Sequence, residues 1–186
     1  HWTHPGKEGV KIPVVAYSNC RMVELFFNGR SLGAQYMSDD LQLVWQVPYE
    51  PGILVAVGKD IHGVRLAQAI QQTAGAPYGI RIEGNRRSIK AGQKSIARFE
   101  ITVSDKEGVA VPDAGSEIKV NVAGPATLLG LDNGDVADLT EARSFQRKVF
   151  KGKCAGIIQS TEQRGKVRIT VTSENLKQAT YTLHAV

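Results

Sequence analysis

Apolar and polar residues alternate with a period of two along nearly the whole chain, and a helical period is almost absent. In VELFFNGRSLG, Val23, Leu25 and Phe27 alternate with Glu24 and Phe26 until the run stops at Asn28-Gly29 and resumes at Arg30. An Asn-Gly pair between two such runs predicts a hairpin with a tight turn. A strand over Val14–Ser18 precedes it. After it, LQLVWQV places Leu41, Leu43, Trp45 and Val47 on one face, opposite Gln42, Val44 and Gln46. Pro48 ends that strand because it cannot donate to a ladder. Pro51-Gly52 turns the chain, ILVAVGK resumes it, and a strand from Val64 to Thr73 closes the group.

Thr73–Gly79 (TAGAPYG) breaks the pattern with small residues, a proline and two glycines, and is the predicted linker. Beyond it alternation restarts with Ile80 and Ile82. It continues in IARFEITVS (Ala97, Phe99, Ile101, Val103), EIKVNV (Ile118, Val120, Val122), KVRITVTS (Val167, Ile169, Val171) and ATYTLHA (Ala179, Tyr181, Leu183). The turn clusters DKEG, VPDAG, GPAT, LDNGD and EQRG lie between. Short strands at close spacing predict an all-β chain of two tandem immunoglobulin-like antiparallel sandwiches, residues 1–75 and 76–186.

Composition supports this class. The 186 residues are 42% hydrophobic and 22% charged, ordinary globular values, and no apolar run reaches the ~18 residues of a membrane span. The chain opens at His1 without methionine inside patterned sequence, so we read it as a piece of a longer polypeptide. The net charge of +5 comes from scattered lysines and arginines, the spacing of a solvated face rather than a nucleic-acid site. Cys20 and Cys154 stand far apart in the chain and are expected to be buried free thiols.

Candidate chemistry is sparse. His1 and His4 could approach one metal ion but have no third ligand nearby; His62 sits in a turn-like stretch, and His184 points outward on the last strand. No serine lies in Gly-x-Ser-x-Gly and no phosphate loop occurs, which weighs against hydrolase and nucleotide chemistry. Asp132, Asn133 and Asp135 in GLDNGD offer hard oxygen ligands, a weak metal candidate. The same residues suit a tight turn that Asp132 closes with its own carboxylate, the favoured reading, and no metal or cofactor is expected. Trp2, Tyr49 and Tyr78 are candidate sugar-stacking rings, because a flat ring covers the apolar face of a pyranose. Trp45 is expected in the core, and for Trp2 the alternative to stacking on sugar is packing against whatever preceded residue 1.

Six stretches in order resemble a known arrangement. HWTHPGKEG (His1–Gly9), YSNCRMVELFFNGRSLG (Tyr17–Gly33) and WQVPYEPGILVAV (Trp45–Val57) resemble the accessory β-sandwich that follows the catalytic barrel in glycoside hydrolase family 2 enzymes, chiefly bacterial β-galactosidases. Glu24, Leu25, Phe27, Asn28, Gly29, Ser31, Leu32 and Gly33 carry the hairpin motif, while His4 departs from the tryptophan common there. VSDKEGVAVPDA (Val103–Ala114), VAGPATLLGLDNGD (Val122–Asp135) and Phe150–Leu176 are similar to the C-terminal immunoglobulin-like domain of the same enzymes, itself akin to bacterial adhesin repeats.

The resemblance implies retaining chemistry by two glutamates on a (β/α)8 barrel, a fold of about 250 residues that alternating strands cannot supply. No glutamate here matches those motifs. Glu24 and Glu50 as a pair would need carboxyls about 5–5.5 Å apart with one desolvated, which strand-edge and turn positions do not provide. The expected role is therefore non-catalytic: supporting the barrel, shaping its cleft rim or making subunit contacts. A carbohydrate-binding module is the alternative, and an adhesin-type surface repeat a weaker third. The implied partner is the barrel of the parent enzyme, with glycan and a homo-oligomer as further candidates and nucleic acid excluded. A periplasmic or secreted bacterial location is expected from the resemblance alone.

Overall fold

A computed structural model describes residues 1–186 as two compact units, His1–Thr73 and Ala74–Val186. Every regular element is a strand.

The first unit contains β1 (Lys11–Tyr17), β2 (Met22–Phe27), β3 (Arg30–Tyr36), β4 (Gln42–Pro48), β5 (Ile53–Lys59) and β6 (Arg65–Gln72). They form a four-stranded sheet, β3-β2-β5-β6, and a two-stranded sheet, β1-β4. Phe27 pairs with Arg30, so the hairpin loop is Asn28-Gly29 alone. Its φ values of 48° and 81° are both left-handed, the geometry that matches the right-handed twist of the flanking strands. The Asn28 side-chain oxygen also accepts the Ile53 N–H at 2.9 Å, which ties the turn to the start of β5. Val23, Leu25, Leu43, Trp45, Val47 and Leu54 meet between the sheets.

Leu41 departs from the expected face. It lies before β4 with φ 54° and is 53% exposed. Its N–H closes a turn onto Ser38 and its carbonyl accepts from Ser18. Backbone bonding at the end of the β1-β4 ladder wins there over burial of the side chain.

The second unit contains β7 (Gly79–Gly84), β8 (Ser88–Ile89), β9 (Ile96–Ser104), β10 (Glu117–Ala123), β11 (Ala126–Asp132), β12 (Gln146–Lys148), β13 (Lys153–Ser160), β14 (Gly165–Ser173) and β15 (Leu176–Ala185). Gly79, expected in the linker, already belongs to β7. Hydrogen bonding runs β11-β13-β9-β7-β15-β14-β10-β12, but β7 and β15 meet at a single bridge, Gly79 to Lys177. The path is thus two four-stranded layers, β11-β13-β9-β7 and β15-β14-β10-β12, over one core. Phe99, Ile101, Ile118, Leu131, Ile158, Val167, Ile169 and Leu183 fill that core.

Pairing is not wholly antiparallel as expected. β7 pairs antiparallel with β9, then the chain crosses over so that β8 pairs parallel with β15 through Ser88–His184 and Ile89–Ala185. Tyr181 fastens the crossover: its hydroxyl donates to the Arg86 carbonyl at 2.9 Å, and the Arg87 guanidinium lies over its ring. A Cβ on Gly84 would overlap that ring. β11 and β13 were hidden in sequence by glycines within the turn-like GPAT and LDNGD and within CAGIIQS. Gly130 sits at a register shift, and Gly156 pairs with Phe99, whose ring covers the place a side chain would take.

Gly156→Ala should therefore lower stability by about 1–3 kcal/mol, the usual cost of overpacking, because the Phe99 ring is buried and cannot swing away. Gly84→Ala should cost less, since Tyr181 is only half-buried. Urea midpoints of the two variants check the order.

Candidate functional site

Two clusters gather the side chains singled out in the sequence. The first closes the end of the first unit. Trp2 is 2% exposed and Tyr49 1%, with ring centroids 5.1 Å apart. Trp2 also meets Phe27 edge-on at 6.2 Å, and its indole N–H donates to the Glu50 carbonyl at 3.0 Å. The Tyr49 hydroxyl accepts the His4 N–H at 3.0 Å, and the His4 ring stands edge-on to Tyr49. Thr73, at the far end of the unit, donates its hydroxyl to the Trp2 carbonyl at 2.6 Å and exchanges bonds with Gly52. Trp2 is thus a plug held from both chain ends of its unit. Burying an indole contributes about 4–6 kcal/mol, from 150–250 Å² at about 25 cal per Å².

This corrects the expectation of exposed sugar-stacking rings at Trp2 and Tyr49. Both are interior, because each ring offers the core a large apolar face and finds its polar partner in the backbone or a neighbour. Trp2 packs within its own unit. Tyr78 is 44% exposed, with the Lys106 ammonium 5.7 Å from its ring centroid. His1 and His4 lie with ring centroids 4.8 Å apart. Burial of the imidazole, then the Lys7 charge, lowers the His4 pKa and favours its neutral form. Trp45 is in the core.

The second cluster organises the 133–145 connection between β11 and β12. GLDNGD does not close a hairpin; it begins this long loop. Asp132 accepts the Gly134 N–H at 2.7 Å, closing the turn with its own carboxylate. Asn133 Oδ1 accepts from Asp135 N–H, and Asp135 Oδ1 from Ala137 N–H. These oxygens point into their own backbone. The residue that holds the loop is Arg147, which composition grouped only among scattered charges. It is 5% exposed, pairs with Asp138 at 3.0 Å, and donates to the carbonyls of Thr140 at 2.7 Å and Glu141 at 3.1 Å. Its Nε is buried without a partner. Asn133 Nδ2 completes the cluster by donating to Asp138 and to the Lys148 carbonyl. The Asp138 carboxyl is held below the usual carboxylate range by hydrogen bonds from the Thr140 hydroxyl and N–H, with Arg147 and Asn133 adding to them. Glycine at 130 admits the loop, because a Cβ there would press on the Ala142 carbonyl.

The carboxylate of Glu24 is likewise engaged. Lys59 approaches to 2.6 Å and the Ser31 hydroxyl to 2.7 Å, and in that order they hold its pKa below the usual range. Glu50 is exposed on a turn, so the two do not form a desolvated acid pair. Cys20 and Cys154 are buried free thiols, and burial pushes the Cys154 pKa up to about 11.

Residues 80–182 match the family described as glycoside hydrolase family 2 C-terminal domain 5. The chain belongs to that family. Residues 9–67 match a second family, a domain of unknown function, DUF4982. A β-galactosidase of Bacteroides ovatus, BoGH2A, is 34% identical over the full chain, which covers 21% of that relative. The solved β-glycosidase of Bacteroides vulgatus is 40% identical with a TM-score of 0.96, and the chain covers 24% of it. A family 2 member from Bacteroides cellulosilyticus is 32% identical with a TM-score of 0.92, again over all of the chain and 24% of the neighbour. The chain thus spans about a fifth of the length of the curated relatives it matches. It is a non-catalytic C-terminal portion of the family 2 architecture, and its all-strand fold contains no (β/α)8 barrel.

Asp138→Ala should lower the urea midpoint more than Arg147→Met, since the first strands a buried guanidinium and the second leaves a better solvated carboxylate. Replacing both by apolar residues should recover part of the loss. The Asp138 contribution is fully present above the ordinary carboxylate range and disappears as pH falls through its depressed folded value. Asp138→Asn should accordingly flatten the acid limb of a stability–pH curve.

Proposed function

We propose that the chain is the non-catalytic end of a β-galactosidase-type family 2 enzyme, and that its first unit buttresses the catalytic part through the outward face of β2-β5-β6. The observation that carries this is a registered apolar row on that face. Phe26 pairs with Val55 and Val55 with Ile70, a line running across three strands on the side away from the core. Ile53 on β5 and Leu66 and Ile70 on β6 are 40%, 61% and 54% exposed. An outward sheet face in water is normally polar, so an aligned apolar row supports a packing role.

The chemistry of the chain is consistent with support. Its two least exposed charged pairs, Arg147–Asp138 and Glu24–Lys59, hold a loop and tie β2 to β5, and the name of the B. ovatus relative points to galactoside hydrolysis by the remainder of the parent. A glycan-holding role retains only Tyr78 of its three proposed rings.

The isolated chain should give no measurable turnover of an aryl β-galactoside. Ile70→Glu should leave its unfolding free energy in urea within about 0.5 kcal/mol of that of the unsubstituted chain, as surface changes usually do. In the full-length enzyme the same change should lower Tm or the activity retained after heating. An unchanged full-length enzyme would overturn the buttress.

A further inference from the structure

The two sheets of the first unit are unequal. Four strands face two, and the uncovered strand is β6: all eight of its residues are exposed, on both faces. On its inner side Ala67, Ala69 and Gln71 continue the inward row of β5, with Gly58–Ala67, Ala56–Ala69 and Leu54–Gln71 in register. That row looks into an open slot of about 330 Å³, whose floor is Val23 and Leu25 of β2 and whose other wall is Val14–Ser18 at the end of β1. The lining is mostly apolar, and the two alanines keep it wide.

The slot ends at an unpaired sheet edge. β1 bonds only to β4. Ser18 N–H bonds to Leu41 and Tyr49 N–H to Val10, which fixes the alternation: even positions of β1 bond to β4 and odd positions face outward along the edge. The N–H and C=O groups of Val15 and Tyr17 therefore line the free edge beside the slot. Pro13, also at an odd position, offers no N–H, so pairing beyond it toward Lys11 is interrupted. The open edge is confined to the stretch that borders the apolar slot.

We propose that the slot is the seat of a seventh strand, an extended segment of the full-length polypeptide outside residues 1–186, which pairs with Val15 and Tyr17 and turns alternate small aliphatic side chains onto Ala56, Ala67 and Ala69. This is strand addition to a sheet edge, with backbone bonds giving affinity and the slot selecting side chains. It rests on the reading that the chain is part of a longer family 2 enzyme. The relatives leave about four-fifths of their length outside the matched region, in the same polypeptide. A tethered segment meets the edge at an effective concentration of order millimolar, which a single short strand needs because it buries less than the ~1,000 Å² of a stable association between separate molecules. A second copy pairing antiparallel through its own β1 would bring its overhanging β6 against the first β6, so the observations favour a lone strand.

Hydrogen exchange at Val15 and Tyr17, and maleimide labelling of Ala69→Cys, would be compared between the 186-residue chain and the full-length enzyme. Ala69 is exposed, so the substitution is compatible with folding, and the unsubstituted chain sets the background from Cys20 and Cys154. In the isolated chain both amides should exchange freely and the thiol should label rapidly. In the full-length enzyme exchange and labelling should each slow by about 100-fold or more. Fast exchange in the full-length enzyme overturns the proposal, whether or not the thiol is covered, because a cover without a strand does not bond the edge. Protection that appears in the isolated chain as its concentration rises, with a doubled mass in sedimentation, assigns the slot to a second copy and also overturns it. Turnover of an aryl β-galactoside by the isolated chain would instead remove the parent reading, a result independent of the exchange data.

Discussion

A sheet with one apolar face must have that face covered, and the two units meet this constraint differently. In the second, four strands lie over four, and large side chains from both layers, Phe99, Ile118, Ile169 and Leu183 among them, are wholly buried. In the first, only two strands lie over four. Trp2 and Tyr49 supply part of the missing cover as rings rather than strands, and the inner face of β6 stays open. The inequality of the layers accounts for the aromatic plug, the slot and the exposed strand together.

Polar groups serve the same end by allowing chain to pass where apolar packing cannot hold it. The 133–145 connection would have a flexible path without Arg147, whose guanidinium gathers two carbonyls and a carboxylate in the interior. Its unpartnered Nε marks the cost of using a cation there. The Tyr181 hydroxyl does comparable work at the β7–β8 crossover, with Gly84 making room for the ring. Both devices position irregular backbone on a sandwich that otherwise needs only alternation.

These features fit a piece of a larger machine. The chain belongs to a family 2 C-terminal domain family and matches only about a fifth of its relatives' length. Its outward apolar row on β2-β5-β6 and its unpaired β1 edge are surfaces that an isolated sandwich would be expected to make polar or to block.

Alternation and turn chemistry determined much of this from the residues alone. A period of two is local, so the strands around Val23–Phe27, Leu43–Val47, Phe99–Val103 and Val167–Val171 and their buried sides were legible, as was the Asn28-Gly29 turn, whose backbone few other pairs adopt. The family resemblance was carried partly by these strands and partly by the entry and turn stretches His1–Gly9, Val103–Ala114 and Val122–Asp135. Tertiary structure decided what depends on partners distant in sequence. Leu41 faces water because Ser18 claims its carbonyl, and Gly156 lies in a strand because Phe99 fills its empty side. Trp2 and Tyr49 look like sugar-stacking rings until their faces are seen against each other, and Arg147 is one cation among many until the loop closes over it. The missing strand was illegible in principle: alternation says which way a side chain points, and only the stacking of the sheets says whether anything lies there to meet it.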